Sequence, residues 1–240
     1  MSIKILYFVP ARGGSKRVKN KNCRLVGNTP LIDHTLRFIN LLGQSSNAVV
    51  STDSTEVKAS CNCFNIKSVQ RPEHLCGDDV STEDVLIEYI GSNHEAFNEY
   101  TWICLLQPTS PFRSLKVFDM ALKDLATFNN EIDCLLSYHE TKEDMWISLD
   151  SEGGCIKRLF ESAPRRSQLR NPIFIENGNF YFIKVQSLLA HHSILGKVQR
   201  GFKTSYMEGI DINTEFDLML TNTLASLPEV LLEFPGEIAQ

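Results

Sequence analysis

The sequence predicts an α/β fold in which helices cover both faces of a mainly parallel sheet. Short, continuously apolar segments alternate with longer segments of helical periodicity through the first part of the chain. The apolar segments are not interrupted by polar residues, which indicates strands that are buried on both faces. With 240 residues and a hydrophobic fraction of 42%, the chain can bury a large core. We therefore expect one three-layer α/β/α domain over residues 1–240.

The strands are predicted from short apolar runs that are bounded by polar or turn residues. The first run ends at Val9 and is followed by a polar loop over residues 10–22. The fourth run is strongly apolar and ends abruptly at Gln107-Pro108. The full set of predicted strands covers residues 3–9, 47–51, 66–69, 101–106, 132–137 and 179–183.

The helices are predicted from amphipathic periodicity and from capping residues. Pro30 suits a first helical position, and an apolar face then runs from Leu31 to Leu42. Asp53-Ser54 can cap a helix that runs towards Cys61. Ser81 precedes an acidic first turn, which the positive end of a helix favours. Two further helices are predicted over residues 114–127 and 214–224.

Residues 138–176 interrupt the alternation of strands and helices. They contain Gly153-Gly154, the charged stretch Pro164-Arg165-Arg166, and Pro172. Glycine and proline are unfavourable inside helices and central strands. We therefore expect an excursion, with a hairpin and a loop, that leaves the main sheet before the strand at 179–183 returns to it.

Positive charge is concentrated at the beginning of an acidic chain. The protein has 24 Lys and Arg residues against 29 Asp and Glu, yet the first acidic residue is Asp33. Seven cations precede it, namely Lys4, Arg12, Lys16, Arg17, Lys19, Lys21 and Arg24. A local cationic loop suits a polyanionic small molecule, whereas the net charge of −5 argues against nucleic acid as a partner.

The cysteine spacing and the hydropathy of the chain indicate its cellular compartment. The seven cysteines are scattered and form no C-x-x-C pair, so neither a zinc site nor a disulfide framework is expected. Reduced thiols are typical of a cytoplasmic protein. No apolar run approaches the roughly 18 residues that a membrane span needs, so no membrane association is expected.

The loop Arg12-Gly13-Gly14-Ser15-Lys16 is the first candidate binding site. It matches neither the Walker A nor the G-x-G-x-x-G pattern. Its glycines allow backbone N–H groups to approach a phosphate, and its cations can neutralise one. The alternative is a surface turn with solvated lysines. Its position directly after a buried parallel strand favours the binding site, because ligands bind at the carboxyl ends of such strands.

Two further segments carry candidate polar ligands. Two prolines fix the backbone after Gln107, whose amide can donate to and accept from a sugar or base, although a rigid turn would look the same. Asp211 and Asn213 share one face if the chain is extended there, and two oxygen ligands suit Mg²⁺. The alternative is that Asn213 or Thr214 caps the following helix. Asn177-Gly178 is predicted to be a turn that leads into the strand at 179–183, and by the same alternation Asn179 and Tyr181 lie on one side of that strand.

Several motifs follow one another in a fixed order over nearly the whole chain. They are Pro10-Ala11-Arg12-Gly13-Gly14-Ser15-Lys16, Lys19-Asn20-Lys21-Asn22, Ser51-Thr52-Asp53-Ser54, Arg71-Pro72, Gln107-Pro108-Thr109-Ser110-Pro111, Asn177-Gly178 and Asp211-Ile212. Together they resemble the CMP-sialic acid synthetases (acylneuraminate cytidylyltransferases), including the CMP-legionaminate and CMP-pseudaminate synthetases. The resemblance implies a nucleotidyltransferase domain in which residues 138–176 form a protruding dimerisation segment. It also implies a homodimer that joins CTP to a nine-carbon 2-keto sugar acid and releases pyrophosphate.

The resemblance also implies roles for individual residues. Arg12, Lys21 and Asp211 would be catalytic, with Asp211 and Asn213 holding Mg²⁺. The remaining implied contacts fall into two groups. Nucleotide contacts are Ala11, Arg12, Gly13, Gly14, Ser15, Lys16, Lys21, Asn22, Arg71 and Thr82, and sugar contacts are Gln107, Arg165, Arg166, Gln168, Asn179 and Tyr181.

Two departures from the family pattern bear on these roles. The family usually has Asp-Ile-Asp where this chain has Asn213, so one negative charge is lost at the metal. The excursion has Arg166-Ser167-Gln168 where sialate-type members often have Arg-Gln, and Glu176 replaces a basic residue before Asn177-Gly178. Legionaminic and pseudaminic acids are therefore alternatives to N-acetylneuraminate. Another sugar nucleotidyltransferase and a catalytically weak nucleotide-binding relative remain the other interpretations.

Overall fold

The computed structural model describes residues 3–97, 99–150, 152–228 and 230. The strands are β1 (Ile5–Pro10), β2 (Leu25–Val26), β3 (Thr29–Pro30), β4 (Ala48–Thr52), β5 (Lys67–Gln70), β6 (Trp102–Leu105), β7 (Cys134–Thr141), β8 (Trp146–Ser148), β9 (Ile156–Arg158), β10 (Ile173–Lys184) and β11 (Gln199–Lys203). The α-helices are α1 (Leu31–Leu41), α2 (Thr55–Cys63), α3 (Thr82–Gly91), α4 (His94–Phe97), α5 (Leu115–Phe128), α6 (Val185–His191) and α7 (Glu215–Ala225).

Seven strands form the central sheet in the order β11-β7-β10-β6-β1-β4-β5. β1 pairs in parallel with both β4 and β6, and β11 pairs in parallel with β7. β10 alone among these strands runs antiparallel to its two neighbours. The predicted mainly parallel sheet is therefore confirmed, and the carboxyl ends of six strands meet at one edge.

Helices cover both faces of the sheet, as the uninterrupted apolar runs predicted. On one face, α1, α2 and α5 pack on side chains that include Tyr7, Val9 and Phe182. On the other face, α3 and α6 pack on Leu6, Phe8 and other side chains of the sheet. Successive residues of β1 thus enter opposite cores, which fixes the register of this strand because a shift by one residue would exchange the two faces.

The helix starts follow the capping rules that the sequence suggested. The Ser54 hydroxyl accepts a hydrogen bond from the backbone N–H of Val57 at the beginning of α2. Ser81 and Asp84 form a capping box at the beginning of α3. Pro30 lies one residue before α1 rather than inside it. The differences from the predicted ends are one or two residues, within the usual scatter of helix boundaries.

In the second half of the chain, two elements were not predicted and a third is longer than predicted. β10 begins at Ile173, whereas the sequence predicted a strand only over residues 179–183. α6 and β11 were not recognised, because β11 lies at the edge of the sheet and only one of its five residues is buried. An edge strand need not show the apolar pattern on which the other strand predictions depended.

Asn177-Gly178 was interpreted as a turn and is instead a bulge within β10. The pairing of β10 with β7 shifts register between Glu176 and Tyr181. Gly178 has a positive φ of 69°, which glycine adopts without steric cost. The Ser137 hydroxyl donates to Asn177 Oδ1 at 2.7 Å and accepts from the backbone N–H of Phe180 at 2.9 Å. Side-chain bonds therefore replace the ladder bonds that the bulge removes.

The excursion predicted over residues 138–176 is an arm made by extensions of β7 and β10. The two strands remain paired out to Thr141 and Ile173, and β8 and β9 form a separate two-stranded sheet between them. The Asp144 carboxylate accepts hydrogen bonds from Arg158 at 2.7 Å and Arg170 at 3.1 Å, so the base of the arm is held together by charge. These guanidinium groups keep the pKa of Asp144 below its ordinary value.

A smaller core fixes the loop after β1. Val18 and Val26 are buried against Ile212 and Leu218, which brings the first thirty residues into contact with α7. The backbone N–H of Gly27 donates to Asn222 of α7 at 2.9 Å. Within the described ranges of the chain, no helix is both long and apolar enough to cross a membrane.

Candidate active site

A cavity of about 590 Å³ opens at the carboxyl ends of β1, β5 and β6. It joins the loop after β1, the segment before α3, the end of β6 and the segment before α7. Its lining residues are Pro10, Arg12, Ser15, Lys16, Arg17, Lys21, Asn22, Arg71, Gly77, Asp78, Val80, Ser81, Thr82, Val85, Gln107, Pro108, Thr109, Asp211 and Asn213. Ten of the predicted site residues line this one cavity although they are distant in sequence. This agrees with the rule that ligands bind at the carboxyl ends of parallel strands.

The glycine loop begins as a direct continuation of β1. Ala11 is fully buried, and its backbone N–H donates to the carbonyl of Ser51 at 2.9 Å. The backbone N–H of Gly13 donates to the Asp53 carboxylate at 2.6 Å, and a Cβ at Gly13 would lie 3.2 Å from the Ser54 Cβ. Ala11 and Gly13 therefore shape the loop, and neither lines the cavity.

Two contacts hold this loop in place from outside it. The Asn22 amide donates to the Arg12 carbonyl at 2.9 Å. Burial opposes ionisation of Asp53, but the bond from Gly13 and its other hydrogen bonds outweigh burial and lower its pKa. Asp53 is thus a carboxylate at neutral pH, as a strong acceptor for the Gly13 N–H requires. Asn22 was predicted to contact the nucleotide, and it also supports the loop.

Arg12 and Lys16 converge on Asp78. The Arg12 guanidinium lies 2.6 Å from one carboxylate oxygen of Asp78, and the Lys16 ammonium lies 2.5 Å from the other. These two cations hold the pKa of Asp78 below its ordinary value, first through the hydrogen bond from Lys16 and then through that from Arg12. One carboxylate therefore bridges the two cations that the sequence assigns to the triphosphate. Asp78 was not among the predicted site residues.

Because the resemblance implies a CTP site, Asp78→Asn is expected to lower the KM for CTP by about two- to fivefold, the effect of a partly exposed ion pair. The negative carboxylate competes with a triphosphate for Arg12 and Lys16, and the neutral amide competes less. Asp79→Asn removes the same charge from the adjacent exposed residue and serves as the control. Steady-state kinetics with CTP measure both. A raised KM in Asp78→Asn would show instead that the carboxylate holds Arg12 in its binding position.

Lys21 and Asp211 form the opposite wall of the cavity. The Lys21 ammonium donates to the carbonyl of Ile212 at 2.8 Å, and the backbone N–H of Ile212 donates to Thr109 O at 2.9 Å. Burial lowers the pKa of Lys21, and the nearby Asp211 carboxylate partly opposes that effect. Asp211 Oδ1 is buried without a hydrogen-bond partner. A buried carboxylate oxygen in this condition can accept a proton or bind a cation.

Asn213 contacts Asp211 and Arg17. Its side-chain N–H donates to Asp211 Oδ2, and its side-chain oxygen accepts from Arg17 at 3.0 Å. Thr214, rather than Asn213, caps α7 in a capping box with Asp217. The alternative that Thr214 is a helix cap is therefore confirmed. The metal role of Asn213 stays a prediction. It requires that Asn213 Oδ1 release its hydrogen bond from Arg17 and bind Mg²⁺ instead.

Arg71 and Thr82 lie on the side of the cavity nearest to β4 and α3. Arg71 is only 5% exposed, and it donates to the Ser51 carbonyl at 3.1 Å and the Ser51 hydroxyl at 3.3 Å. Burial is the main cause that lowers its pKa. Thr82 is the first residue of α3, where free backbone N–H groups and the helix dipole favour acceptor atoms.

Gln107 lies at the end of β6, between Arg113 and Gly178. Its carbonyl accepts a hydrogen bond from Arg113 at 2.6 Å. A Cβ at Gly178 would lie only 3.1 Å from Gln107 Oε1, so the bulge in β10 leaves room for the glutamine amide. Arg113 and Gly178 lie behind Gln107 and do not line the cavity. Gly178 was predicted only as part of the Asn177-Gly178 motif, and no role was predicted for Arg113.

The other predicted sugar contacts lie outside this cavity. Arg165, Arg166 and Gln168 are exposed residues of the arm. Asn179 is fully buried, and its side-chain N–H groups donate to the carbonyls of Phe112 at 3.0 Å and Glu208 at 2.7 Å. Tyr181 is 5% exposed and donates its hydroxyl to Glu176. Their contacts with a sugar stay predictions, and Asn179 also has a structural role.

Asp78, Arg17, Ser81 and Gly77 also line the cavity and were not predicted. The segment 76–81 has no helical or strand pattern, and its relation to the glycine loop depends on contacts across 64 to 66 residues. Arg17 was recognised only as one of seven cations. A search for polar residues just before the capped helix α3 would have found Asp78 and Ser81.

The mainly parallel α/β sheet, the basic glycine loop after β1 and the carboxylate on the facing wall are the features expected of a nucleotidyltransferase. The sequence pattern of the family described as cytidylyltransferase matches residues 6–152. The chain therefore belongs to the cytidylyltransferase family, and its relatives below confirm the resemblance to CMP-sialic acid synthetases.

Two curated relatives are similar over nearly all of this chain. CMP-N,N'-diacetyllegionaminic acid synthase of Legionella pneumophila is 29% identical over 233 residues, which cover 96% of this chain and 100% of that protein. N-acylneuraminate cytidylyltransferase of Escherichia coli is 26% identical over 93% of this chain. This chain spans only 52% of the length of the Escherichia coli protein.

A solved structure supports the fold independently. CMP:2-keto-3-deoxy-manno-octonic acid synthetase, determined in complex with CTP, superposes with a TM-score of 0.61. The match covers 92% of this chain and 98% of that chain at 16% identity. The α/β nucleotidyltransferase fold predicted from the sequence is thus confirmed.

Proposed function

We propose that this protein joins CTP to a nine-carbon 2-keto sugar acid, with formation of a CMP-sugar and release of pyrophosphate. The observation that carries the proposal is one cavity lined by the cations Arg12, Lys16 and Lys21 together with Asp211 and Gln107. A triphosphate needs the three cations, and an acceptor sugar needs polar groups such as the Gln107 amide. Two relatives favour this substrate class, one named for CMP-N,N'-diacetyllegionaminic acid and the other as an N-acylneuraminate cytidylyltransferase.

A legionaminic-type acid is our first candidate for the sugar. The relative named for N,N'-diacetyllegionaminic acid is 29% identical to this chain, whereas the Escherichia coli relative named for N-acylneuraminate is 26% identical. The carboxylate Glu176 also stands where sialate-type sequences have a basic residue. A changed charge beside the Asn177-Gly178 bulge favours a sugar other than N-acetylneuraminate.

The proposed reaction is an in-line displacement at the α-phosphorus of CTP. The anomeric hydroxyl oxygen forms a bond to phosphorus while the bond to the bridging oxygen of pyrophosphate breaks. Negative charge grows on the leaving oxygens, and Arg12, Lys16 and Lys21 stabilise that charge. The hydroxyl proton must leave, and the unpartnered Asp211 Oδ1 is the candidate acceptor. Gln107 would orient the sugar.

The site fits Mg²⁺ bound through few protein ligands. Asp211 Oδ1 is buried without a partner, which a cation would supply. Across the part of the chain that the structure describes, no three His, Cys, Asp or Glu side chains cluster as a metal site. Asp211, with Asn213 as a second ligand, would therefore hold a cation that completes its coordination with phosphate and water. Bound Mg²⁺ would neutralise charge on the triphosphate.

Pyrophosphate release tests the proposed function. The purified protein is assayed with Mg²⁺, each of the four nucleoside triphosphates, and a panel of N-acetylneuraminic, legionaminic and pseudaminic acids. Release with CTP and one of these acids, together with the CMP-sugar in the product mixture, is the expected result. Turnover only with another triphosphate and a sugar 1-phosphate would identify a different nucleotidyltransferase. Tight CTP binding without turnover of any acid would indicate a nucleotide-binding relative without activity, the alternative that Asn213 favours.

We propose in addition that the protein is a homodimer and that the arm is its contact surface. The arm carries large apolar side chains that are 43–66% exposed, an unusual concentration for a surface without a partner. These side chains are Trp146, Ile147, Leu149, Ile156, Leu159, Phe160, Leu169 and Phe174. A dimer would bury them and would bring Arg165, Arg166 and Gln168 towards a second chain.

A cytoplasmic location is proposed from the reduced thiols and from the supply of CTP there.

The double variant Trp146→Glu, Leu169→Glu is expected to convert the dimer into a monomer, because two charges would have to be buried at the interface. Light scattering after size-exclusion chromatography should give about 27 kDa for the variant and twice that mass for the wild type. The matched control is Met120→Glu, Met219→Glu, which alters equally exposed apolar residues on α5 and α7. A wild-type monomer, or an arm variant that remains dimeric, would contradict the proposal.

A further inference from the structure

Arg113 is a fully buried cation between β6 and α5. Its relative exposure is 0%, and it lies behind the wall of the cavity rather than in its lining. Removing a guanidinium from water is costly, so a buried arginine is retained only where several acceptors satisfy it. The acceptors around Arg113 therefore show what this side chain organises.

The Arg113 guanidinium connects three elements. One terminal nitrogen donates to the carbonyl of Gln107 at 2.6 Å, and Nε donates to the carbonyl of Asn179 at 3.3 Å. The other terminal nitrogen donates to the Thr35 hydroxyl of α1 at 2.9 Å. The guanidinium also lies over the ring of Phe180, 5.7 Å from its centre. One side chain thus ties the end of β6 to the bulge in β10 and to the helix behind them.

Gln107 is held from two directions as a result. Its carbonyl accepts from Arg113 and also from the backbone N–H of Ser110 at 3.2 Å. Its side-chain amide packs against Gly178, where a Cβ would approach Oε1 to 3.1 Å. The position of the Gln107 amide in the cavity therefore depends on the distance between the end of β6 and the bulge. Arg113 sets that distance by binding one carbonyl on each side.

We propose that Arg113 is a positioning residue for the acceptor sugar. It holds Gln107 against the bulge at Gly178 and so controls the affinity for the sugar acid without touching the nucleotide. The inference rests on the proposed function, in which Gln107 contacts the sugar. It predicts that a change at Arg113 weakens the binding of the sugar acid and leaves the binding of CTP unchanged.

Arg113→Lys is expected to raise the KM for the sugar acid by about ten- to a hundredfold, since a hydrogen bond to a charged donor is lost from at least one carbonyl. The KM for CTP and its dissociation constant from calorimetry should stay within about twofold. Arg113→Met, which keeps an unbranched apolar stem but has no donors, should have the larger effect. Thr35→Val is the control, because it removes one partner of Arg113 and leaves both carbonyl bonds.

Wild-type turnover is measured first, so that the two proposals fail separately. Absence of turnover with every sugar acid would refute the proposed function, and the inference with it. If the wild type is active and Arg113→Lys raises the KM of both substrates equally, or of neither, Arg113 is only a structural residue. If the Arg113 variants do not fold, Gly178→Ala is the variant that tests the inference. Its added Cβ would displace the Gln107 amide from the side of β10, opposite to Arg113. An unchanged KM for the sugar in Gly178→Ala would overturn the inference.

Discussion

Lys21→Ala is expected to lower kcat/KM for CTP by roughly 30- to 900-fold, which corresponds to about 2–4 kcal/mol of lost transition-state stabilisation. Lys21 is a half-buried ammonium that donates to the carbonyl of Ile212 and faces the cavity beside Asp211. Such a fixed charge stabilises the leaving oxygens more than solvent does, because it is already oriented when the charge develops.

The control for Lys21 is Lys19→Ala, an exposed cation of the same loop. Its kcat/KM should stay within a few-fold of the wild type, since an exposed charge is screened by water and salt. Initial rates of pyrophosphate release at limiting CTP give both values. Near-normal kcat/KM in Lys21→Ala would remove Lys21 from the mechanism.

The pH dependence of Lys21 gives a second measurement on the same residue. Burial lowers its pKa, so the ammonium loses its proton at a lower pH than an exposed lysine does. Because the required form is protonated, kcat/KM should fall as the pH rises through that lowered value. Lys21→Arg keeps its charge at all accessible pH values, and its alkaline decline should move to higher pH.

Asp211→Asn is expected to lower kcat by about a hundredfold or more, the usual loss when a proton acceptor or a metal-holding carboxylate is neutralised. The amide has nearly the same shape, but it has one acceptor oxygen instead of two and no charge. Asp211 Oδ1 is the buried oxygen without a partner, so the variant removes the group on which both roles depend. Rates measured over a Mg²⁺ titration separate the roles: a metal role raises the Mg²⁺ requirement, and a base role does not.

Asp217→Asn is the matched control, because Asp217 is another carboxylate of the same segment. It accepts hydrogen bonds from the backbone of Asn213 at 2.9 Å and Thr214 at 2.7 Å. Its variant should lose stability on the order of 1 kcal/mol through the helix cap, with nearly normal turnover. The pKa of Asp217 is below its ordinary value, since these bonds outweigh burial. Its contribution to stability is therefore present at neutral pH and lost as the pH falls through that lowered value.

The comparison of Asp211→Asn with Asp217→Asn shows whether activity depends on the Asp211 carboxylate itself or on the segment that carries it. If Asp211→Asn retained most of its kcat, neither the base role nor the metal role would stand. If Asp217→Asn lost as much activity as Asp211→Asn, the effect would belong to the segment and not to the Asp211 oxygen. Asn213→Asp adds the carboxylate that the family usually has, and it should lower the Mg²⁺ concentration needed for half-maximal rate.

The central sheet could be predicted from the sequence because its strands are buried on both faces. Such strands need uninterrupted apolar residues, and Ile5–Pro10 or Trp102–Leu105 can therefore be recognised without knowledge of their neighbours. The edge strand Gln199–Lys203 pairs on one side only, and its mostly exposed residues carry no such pattern. The bulge at Gly178 was mistaken for a turn, because both need a glycine with positive φ.

The cavity could be predicted in part, for a different physical reason. Arg12, Lys21, Gln107 and Asp211 follow strands or precede a helix, and the geometry of a parallel sheet brings these positions to one edge. The pairing of Arg12 with Asp78 and the bonds of Arg113 depend on how distant segments pack. No local pattern records such contacts, so both residues became visible only in the folded chain.

The twelve residues of Ile173–Lys184 belong both to the arm and to the wall behind Gln107. They run from the exposed Phe174 through the bulge at Gly178 into the centre of the sheet without a break in the strand. If the arm is the dimer contact and Gln107 contacts the acceptor, as we propose, one continuous strand carries both assembly and acceptor choice, and a substitution that changes one is expected to affect the other. A chimaera that borrows the arm of a relative should be joined outside residues 134–184, and it will then carry the donor's acceptor preference with it.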